Sequence, residues 1–252
     1  MNGMHYLDAR GPEGIRIYAI GDIHGHLDLL TTMHARIANE IARDLPADWR
    51  IIHLGDLVDR GPDSKGVIDF LIAATAHDNR NIVLTGNHDV GFLDFLAFPD
   101  PEGLFAHNGG AETARSYGVE LSFSDRDSLH DGHAALVRAV PQSHIRFLRS
   151  LPYSASFGDF FFCHAGIKPG IPLDWQDPND LIWIRSEFLD YPGLHPKVVV
   201  HGHTPQAEPE VMANRVNIDT GVFYSGALTA LVIDGADKRL ISVEAPGFSG
   251  WR

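Results

Sequence analysis

Ile51-Ile52-His53-Leu54-Gly55-Asp56-Leu57-Val58-Asp59-Arg60-Gly61 decides the fold. An apolar run of strand length stops at a Gly-Asp pair, and Val67, Ile68, Leu71 and Ile72 then recur at helical spacing. The same text stands upstream. Ile15 to Ile20 is a short apolar run ending at Gly21-Asp22, followed by Leu30, Met33, Ile37 and Ile41 at helical spacing, with Pro46 closing that segment. Downstream, Ile82-Val83-Leu84 ends at Gly86-Asn87-His88-Asp89. Strands that alternate with helices predict a mainly parallel sheet with helices on its faces, an α/β architecture.

From about Pro99 to Pro141 the rhythm breaks, with Pro99, Pro101, Gly103, Gly109, Gly110, Gly118 and Gly132 in a weakly periodic stretch. This segment is read as an insertion or cap over the sheet within one domain spanning 1–252. A helix near Ser143 to Ser150 follows, then the strand Phe160 to Cys163, which ends at His164-Ala165-Gly166. A helix around Leu181 to Leu189 precedes the strand Lys197 to Val200, which ends at His201-Gly202-His203. Val216 to Asp219, Leu228 to Ile233 and Leu240 to Val243 read as closing strands, partly antiparallel.

Bulk composition narrows the function. The 252 residues are 44% hydrophobic and 21% charged, which suits one large globular domain. A formal net charge of −13 argues against nucleic acid or an anionic membrane as a partner, because like charges repel at long range. It leaves room for a small anion, since bound metal ions reverse the field within one cleft. The single cysteine, Cys163, excludes an intrachain disulfide and fits a reducing compartment. Met1 to Gly14 has no apolar core of a secretory signal, and no apolar stretch approaches the ~18 residues a membrane span needs. The expectation is a soluble cytoplasmic protein; its oligomeric state is left open.

Five predicted strands therefore end in one kind of text: Gly21-Asp22-Ile23-His24-Gly25, Gly55-Asp56-Leu57-Val58-Asp59-Arg60-Gly61, Gly86-Asn87-His88-Asp89, His164-Ala165-Gly166 and Gly202-His203-Thr204-Pro205. In an open α/β sheet the carboxyl ends of parallel strands line one crevice, so these side chains are expected to converge. Asp, Asn and His offer hard oxygen and borderline nitrogen donors, suited to Mn, Fe, Zn or Co rather than to a soft thiolate site. A carboxylate such as Asp56 can bridge two ions. Two ions ~3.5–4 Å apart can neutralise a transferring phosphoryl group and turn water between them into hydroxide near neutral pH.

These motifs resemble those of the calcineurin-like metallophosphoesterases, and Gly-Asp-x-His-Gly, Gly-Asp-x-Val-Asp-Arg-Gly and Gly-Asn-His together are similar to the phosphoprotein phosphatase branch, including bacterial and phage serine/threonine phosphatases. The resemblance runs from about Ile17 to Gly226. It implies a sandwich of two mixed β-sheets flanked by helices, and two divalent ions, Mn foremost, with Fe, Zn, Co or Ni as alternatives. It implies that Asp22 and His24 bind the first ion, Asp56 bridges, and Asn87, His164 and His203 bind the second. A hydroxide bridging the ions would be the nucleophile. His88 is then the general acid on the leaving oxygen, Asp59 orients and charges it, and Arg60 grips the phosphate with Asn87 and His88 beside it. Arg185, in Ile182-Trp183-Ile184-Arg185, resembles a second phosphate-gripping arginine.

Singly, these residues have duller explanations: Asp22 or Asp56 as a turn cap, His164 as a hydrogen-bonded core histidine, Arg185 as a surface ion-pair partner. Their joint occurrence favours the metal site. His201 is read as a structural neighbour of the ligands. His26, His34, His53, His77, His107, His130, His133, His144 and His195 are read as exposed or locally bonded. Cys163 is read as a small buried hydrophobe, and Phe92, Phe95, Leu96 and Phe98 as packing.

The leading expectation is a serine/threonine protein phosphatase-like phosphomonoesterase acting on a phosphorylated protein or a small phosphoester. The alternative is a symmetrical dinucleoside tetraphosphatase. Thr85 stands where protein phosphatases carry an arginine, and Asp89 where most carry glutamate, both nearer the tetraphosphatases; Asp59 stands where tetraphosphatases have a small residue. An inactive scaffold should have lost a ligand or the acid, and none is missing.

Overall fold

The structure, a computed structural model, describes residues 3–246. The ends of the expected 1–252 domain, residues 1–2 and 247–252, lie outside the described residues. Strands β1 (Ile15–Ile20), β2 (Asp48–His53) and β3 (Asn81–Val83) run parallel, and β9 (Ala227–Asp234) and β10 (Asp237–Glu244) add antiparallel beside β1, giving the order β10-β9-β1-β2-β3. The second sheet has the order β4-β5-β6-β8-β7. In it β5 (Phe160–Cys163), β6 (Val198–His201) and β8 (Arg215–Asn217) are parallel, flanked by antiparallel β4 (Ser154–Phe157) and β7 (Glu210–Val211).

Both faces of the central strands are buried, and the period of two along a strand sorts side chains between them. Ile17 and Ala19 of β1 pack with Phe160, Phe162, Val198 and Val200 between the sheets. Tyr18 and Ile20 point the other way, into the core shared with the helices. That helical layer holds α1 (Leu27–Asp44), α2 (Ser64–His77), α3 (Asn87–Ala97) and α7 (Gln142–Ser150). Helices α8 (Pro178–Trp183) and α9 (Ser186–Leu189) cover the outer face of the second sheet, where Phe161, Cys163 and Val199 pack with Leu181 and Phe188. The two-sheet mixed sandwich expected from the sequence is the observed fold. Cys163 is fully buried, and burial pushes its thiol pKa up.

Segment 99–141 is helical: α4 (Leu104–His107), α5 (Gly110–Ser116) and α6 (Arg126–Ala139). Its Phe105, Ala114, Leu129 and Leu136 join the same core as Tyr18 and Met33. The helix expected over Leu181 to Leu189 is instead two short ones. Ile184 and Arg185 between them have φ/ψ of −59°/141° and −131°/−101°, which breaks the hydrogen-bond ladder. Chain closure runs through α10 (Val222–Ser225) between β8 and β9.

Candidate metal centre and active site

The parallel strands of both sheets deliver their carboxyl ends to one edge of the sandwich. Asp22 and His24 follow β1, Asp56 follows β2, and Asn87 and His88 open α3 after β3. From the second sheet, His164 follows β5 and His203 follows β6. A cavity of about 210 Å³ is lined by Asp22, His24, Asp56, Arg60, Asn87, His88, Arg185 and His203. His164 lies fully buried beneath it, and Asp59 is fully buried behind His88.

Two glycines make the close packing possible. A Cβ on Gly86 would stand 2.1 Å from Asp56 Oδ1, and one on Gly202 would stand 2.0 Å from Asp22 Oδ1. Without them the amides of His88 and His203 could not donate to Asp56 Oδ1 at 3.0 Å and Asp22 Oδ2 at 3.1 Å. His24, Asp56, Asp59, Arg60 and His203 all take left-handed backbone, with φ between 43° and 71°. That conformation costs roughly 1–2 kcal/mol for each L-residue.

Several polar atoms of the cavity are left without a donor, which tests whether cations fit. His24 Nδ1 lies 2.8 Å from the Val58 carbonyl and His164 Nδ1 lies 3.1 Å from the Leu54 carbonyl. A carbonyl only accepts, so each Nδ1 carries the proton and each Nε2 presents a lone pair. His164 Nε2 then faces Asp56 Oδ2 at 3.3 Å and Asn87 Oδ1 at 2.9 Å, and His24 Nε2 faces Asp56 Oδ2 at 3.6 Å. Asn87 Oδ1 also accepts from His203 Nδ1–H at 2.9 Å, which leaves the His203 lone pair on Nε2. Asp22 Oδ1 and His203 Nε2 are buried without any hydrogen-bond partner. Buried lone pairs that converge with no donor between them repel unless a cation sits among them. Imidazole, carboxylate and amide oxygen fit divalent first-row ions.

His24, Asp56 and His88 form one group able to hold an ion, and Asp56, His164 and His203 a second. Asp56 belongs to both, as a bridging carboxylate would. The first group differs from the expected Asp22–His24 pair: His88 Nε2 stands 3.9 Å from Asp56 Oδ2, as near as a ligand, while Asp22 lines the same cavity outside both groups.

Electrostatics follow from burial. Burial drives the His24 pKa down to about 3, so its ring is neutral. Burial, together with Asp219 and Asp56, holds the Asp22 carboxyl well above the usual range. Burial would also raise Asp56, yet His164, His88 and His24 hold it well below that range. His88 is a case of opposed effects, since burial lowers its pKa and the Asp56 and Asp59 carboxylates raise it further, for a net rise. Its Nδ1–H donates to Asp59 Oδ2 at 2.8 Å, which fixes the ring and aims Nε2 into the cavity.

Arg60 is held in place before any ligand arrives. Its guanidinium stacks 4.6 Å over the Phe223 ring, and its Nη2 donates to Asn108 Oδ1 at 2.7 Å. Arg185 is exposed at the cavity mouth, turned there by the break between α8 and α9. Several residues of the site carry no motif. Asn108 and Thr113 come from segment 99–141, and the Thr113 hydroxyl donates to Asp59 Oδ1 at 2.8 Å. Phe223 and Trp183 line the cavity, as does Asp219, whose buried carboxyl is raised to about 6. Asp219 did carry a signal: it ends a predicted strand two residues before Gly221, the spacing of His164-Ala165-Gly166.

Asp89 caps α3 and ties it to the loop after β2, its carboxylate accepting from Gly86 N and Leu57 N, both at 2.9 Å. His201 is buried but lies outside the cavity lining, with its ring against Phe188. His195 departs from expectation. It is buried, stacked on Phe188 and Tyr191, with Nε2 unpartnered, because the aromatic pair covers it on both sides.

Comparison with known proteins agrees with this geometry. The chain is 26% identical over 234 residues to the asymmetrical bis(5'-nucleosyl)-tetraphosphatase PrpE of Anoxybacillus flavithermus, covering 84% of this chain and 88% of that protein. Among solved structures it resembles a protein identified provisionally as a diadenosine tetraphosphatase, with a TM-score of 0.64 at 22% identity, over 95% of this chain and 96% of that one. A Saccharomyces cerevisiae protein serine/threonine phosphatase with similarity to human phosphatase PP5 aligns with a TM-score of 0.53 at 14% identity, over 92% and 80% of the two chains. Residues 15–226, spanning every motif of the cavity, match the calcineurin-like phosphoesterases, so the chain belongs to that family and is a metal-dependent phosphatase hydrolase.

Proposed function

We propose that this chain is a two-metal phosphoester hydrolase whose substrates are dinucleoside polyphosphates. The observation that carries the hydrolase reading is the set of unpaired lone pairs converging on Asp56 beside two guanidinium groups. A pair of divalent ions held there supplies positive charge against phosphoryl oxygens and lowers the pKa of water. Asp56, His24 and Asp22 would hold one ion, and Asp56, Asn87, His164 and His203 the other. Arg60 and Arg185 would bind the phosphoryl oxygens, and the N-terminus of α3 adds its partial positive charge at Asn87 and His88. His88 Nε2 would hand a proton to the leaving oxygen while Asp59 steadies the imidazolium through Nδ1–H.

The substrate class is supported by the relatives named as bis(5'-nucleosyl)-tetraphosphatases, which align over most of both chains. Thr85, buried with its hydroxyl turned to the adjacent Gly86 carbonyl, also fits this class, since the site lacks the arginine that protein phosphatases carry there. A second reading, the protein phosphatase-like phosphomonoesterase, is supported by the Asp59–His88 contact, which completes the dyad of the Asp-x-Val-Asp-Arg-Gly motif. Diadenosine tetraphosphate, a phosphopeptide and an aryl phosphate, assayed side by side with metal-reconstituted enzyme, separate the two. Preference for diadenosine tetraphosphate is the expected result, and its products distinguish asymmetrical cleavage (ATP and AMP) from symmetrical cleavage (two ADP). A strong preference for the phosphopeptide would overturn the proposal. A cytoplasmic setting belongs to the same proposal; among the described residues no helix is long and apolar enough to cross a membrane.

A further inference from the structure

The candidate catalytic cavity does not end at Asn87. A second cavity of about 190 Å³ opens beside it and shares Asn87, Leu104 and Trp183 as a common wall. Its lining is otherwise apolar along the α3 and α4 side, with Val90 and Leu104, and its rim carries the carboxylates of Asp94 and Asp100. Trp183 is the telling residue. Its indole is 40% exposed although it stands beside the predicted ligand His203, edge-on at 5.9 Å between ring centroids. A large aromatic surface left to water next to a charged site is costly, and a flat ring laid on it would remove that cost.

We infer that this second cavity is a nucleobase subsite in which Trp183 stacks on an amino-bearing purine of the substrate while Arg60 and Arg185 hold its phosphates. Charge sets the direction of binding. Asp94 and Asp100 repel phosphate but accept hydrogen bonds from an exocyclic amino group, so the base enters their cavity and the phosphates stay at the guanidinium side. The apolar wall and acidic rim suit the flat face and amino group of adenine or guanine better than a phosphopeptide. The inference rests on the phosphoester-hydrolase reading of the neighbouring cavity.

Calorimetric titration of metal-reconstituted protein with AMP and with ribose 5-phosphate isolates the base, since the two differ by it alone. Stacking of one base on an aromatic side chain predicts AMP binding about fivefold tighter or more. Trp183→Leu should bring the two ligands to equal affinity, and Trp183→Phe, which keeps an aromatic face, should retain much of the difference. Asp94→Ala should lower the preference for AMP over purine riboside 5'-monophosphate, which lacks the amino group. Nitrophenyl phosphate hydrolysis is followed in parallel. Active wild-type enzyme that binds AMP and ribose 5-phosphate equally overturns the subsite alone, whereas absence of hydrolysis on every ester overturns the reading beneath it. A base preference unchanged in both Trp183→Leu and Asp94→Ala, or a Trp183-dependent preference for phosphotyrosine peptide over AMP, would also overturn it.

Discussion

Thr113→Val tests whether His88 delivers a proton, because it touches neither His88 nor any predicted ligand. The substitution keeps the side-chain shape and removes one hydroxyl, which donates to Asp59 Oδ1 at 2.8 Å and accepts from Asp59 N at 2.9 Å. The amide keeps a partner in Ser64 Oγ at 3.1 Å; Ser64 Oγ, itself 3.0 Å from the Thr113 hydroxyl, loses that contact, and the charged group that loses a donor is the carboxylate. A hydrogen bond to a buried charge is worth about 1.5–3 kcal/mol. Burial already holds the Asp59 carboxyl above its ordinary range, opposed by His88 and then by Thr113, so removing Thr113 favours the protonated acid. A protonated Asp59 cannot stabilise an imidazolium at His88. If about half the interaction energy reaches the transition state, kcat falls about four- to twelvefold, below the ~10²–10⁴-fold expected for losing a general acid outright.

The assay compares kcat on phosphoserine with kcat on nitrophenyl phosphate, with metal content measured on the same samples. An alkoxide needs a proton to leave and nitrophenolate does not, so the deficit should be concentrated on phosphoserine. His88→Asn should show the same pattern more strongly, with metal content unchanged. Equal losses on both esters refute proton delivery. Loss of one ion per chain in His88→Asn would instead make His88 a ligand, consistent with its place beside His24 and Asp56.

Exhaustive chelation should abolish phosphatase activity, and Mn or another divalent first-row ion should restore it; full activity at near-zero metal content would sink the two-metal proposal. Asp56→Asn should lower the occupancy of both ions and His203→Ala mainly that of one, read as metal per chain by mass spectrometry. Stability should also fall in acid for a reason far from the cavity. His34 and His53 are packed ring on ring with Nε2 atoms 2.8 Å apart, and burial lowers them to about 4 and about 3. The unfolded chain protonates both near pH 6.5 while the fold does not, so their contribution is complete above that pH. It is lost as pH drops from about 6.5 towards 4, by about 1.4 kcal/mol per pH unit for each histidine. Urea midpoints across this range should fall less steeply in His34→Phe, and an unchanged slope would count against this origin.

What the chain discloses locally is its strand ends. A buried parallel strand is a short apolar run, and the turn after it needs glycine next to the polar group it presents, so Gly21-Asp22, Gly55-Asp56 and Gly86-Asn87 can be read without neighbours. Thr113 and Asn108 could not be read in this way. They reach Asp59 and Arg60 across 54 and 48 residues of chain, and nothing in their own surroundings distinguishes a supporting hydroxyl or amide from any polar residue in a loop. Strand β4 escaped because Ser154-Ala155-Ser156-Phe157 is small and polar, and it is held by pairing with β5 rather than by its own propensity. The break at Ile184–Arg185 escaped for a related reason: Leu181 to Leu189 keeps helical spacing straight through it. His195 looked ordinary because aromatic burial is set by Phe188 and Tyr191 folding over it.

The left-handed residues give the molecule an uneven tolerance for improvement. Among the described residues, six that are not glycine take positive φ; five of them are His24, Asp56, Asp59, Arg60 and His203, and the sixth is Leu45 at the end of α1. At roughly 1–2 kcal/mol apiece, the five amount to about 5–10 kcal/mol, the same order as the whole net stability of a domain. A chain selected only for hardiness would relax these positions to glycine and lose its chemistry in doing so. Leu45 sits 78% exposed with the same backbone and no part in the cavity, so glycine there relieves the conformation at no catalytic cost. Resistance to heat and capacity to turn over substrate are thus opposed around the cavity and independent at the far end of α1.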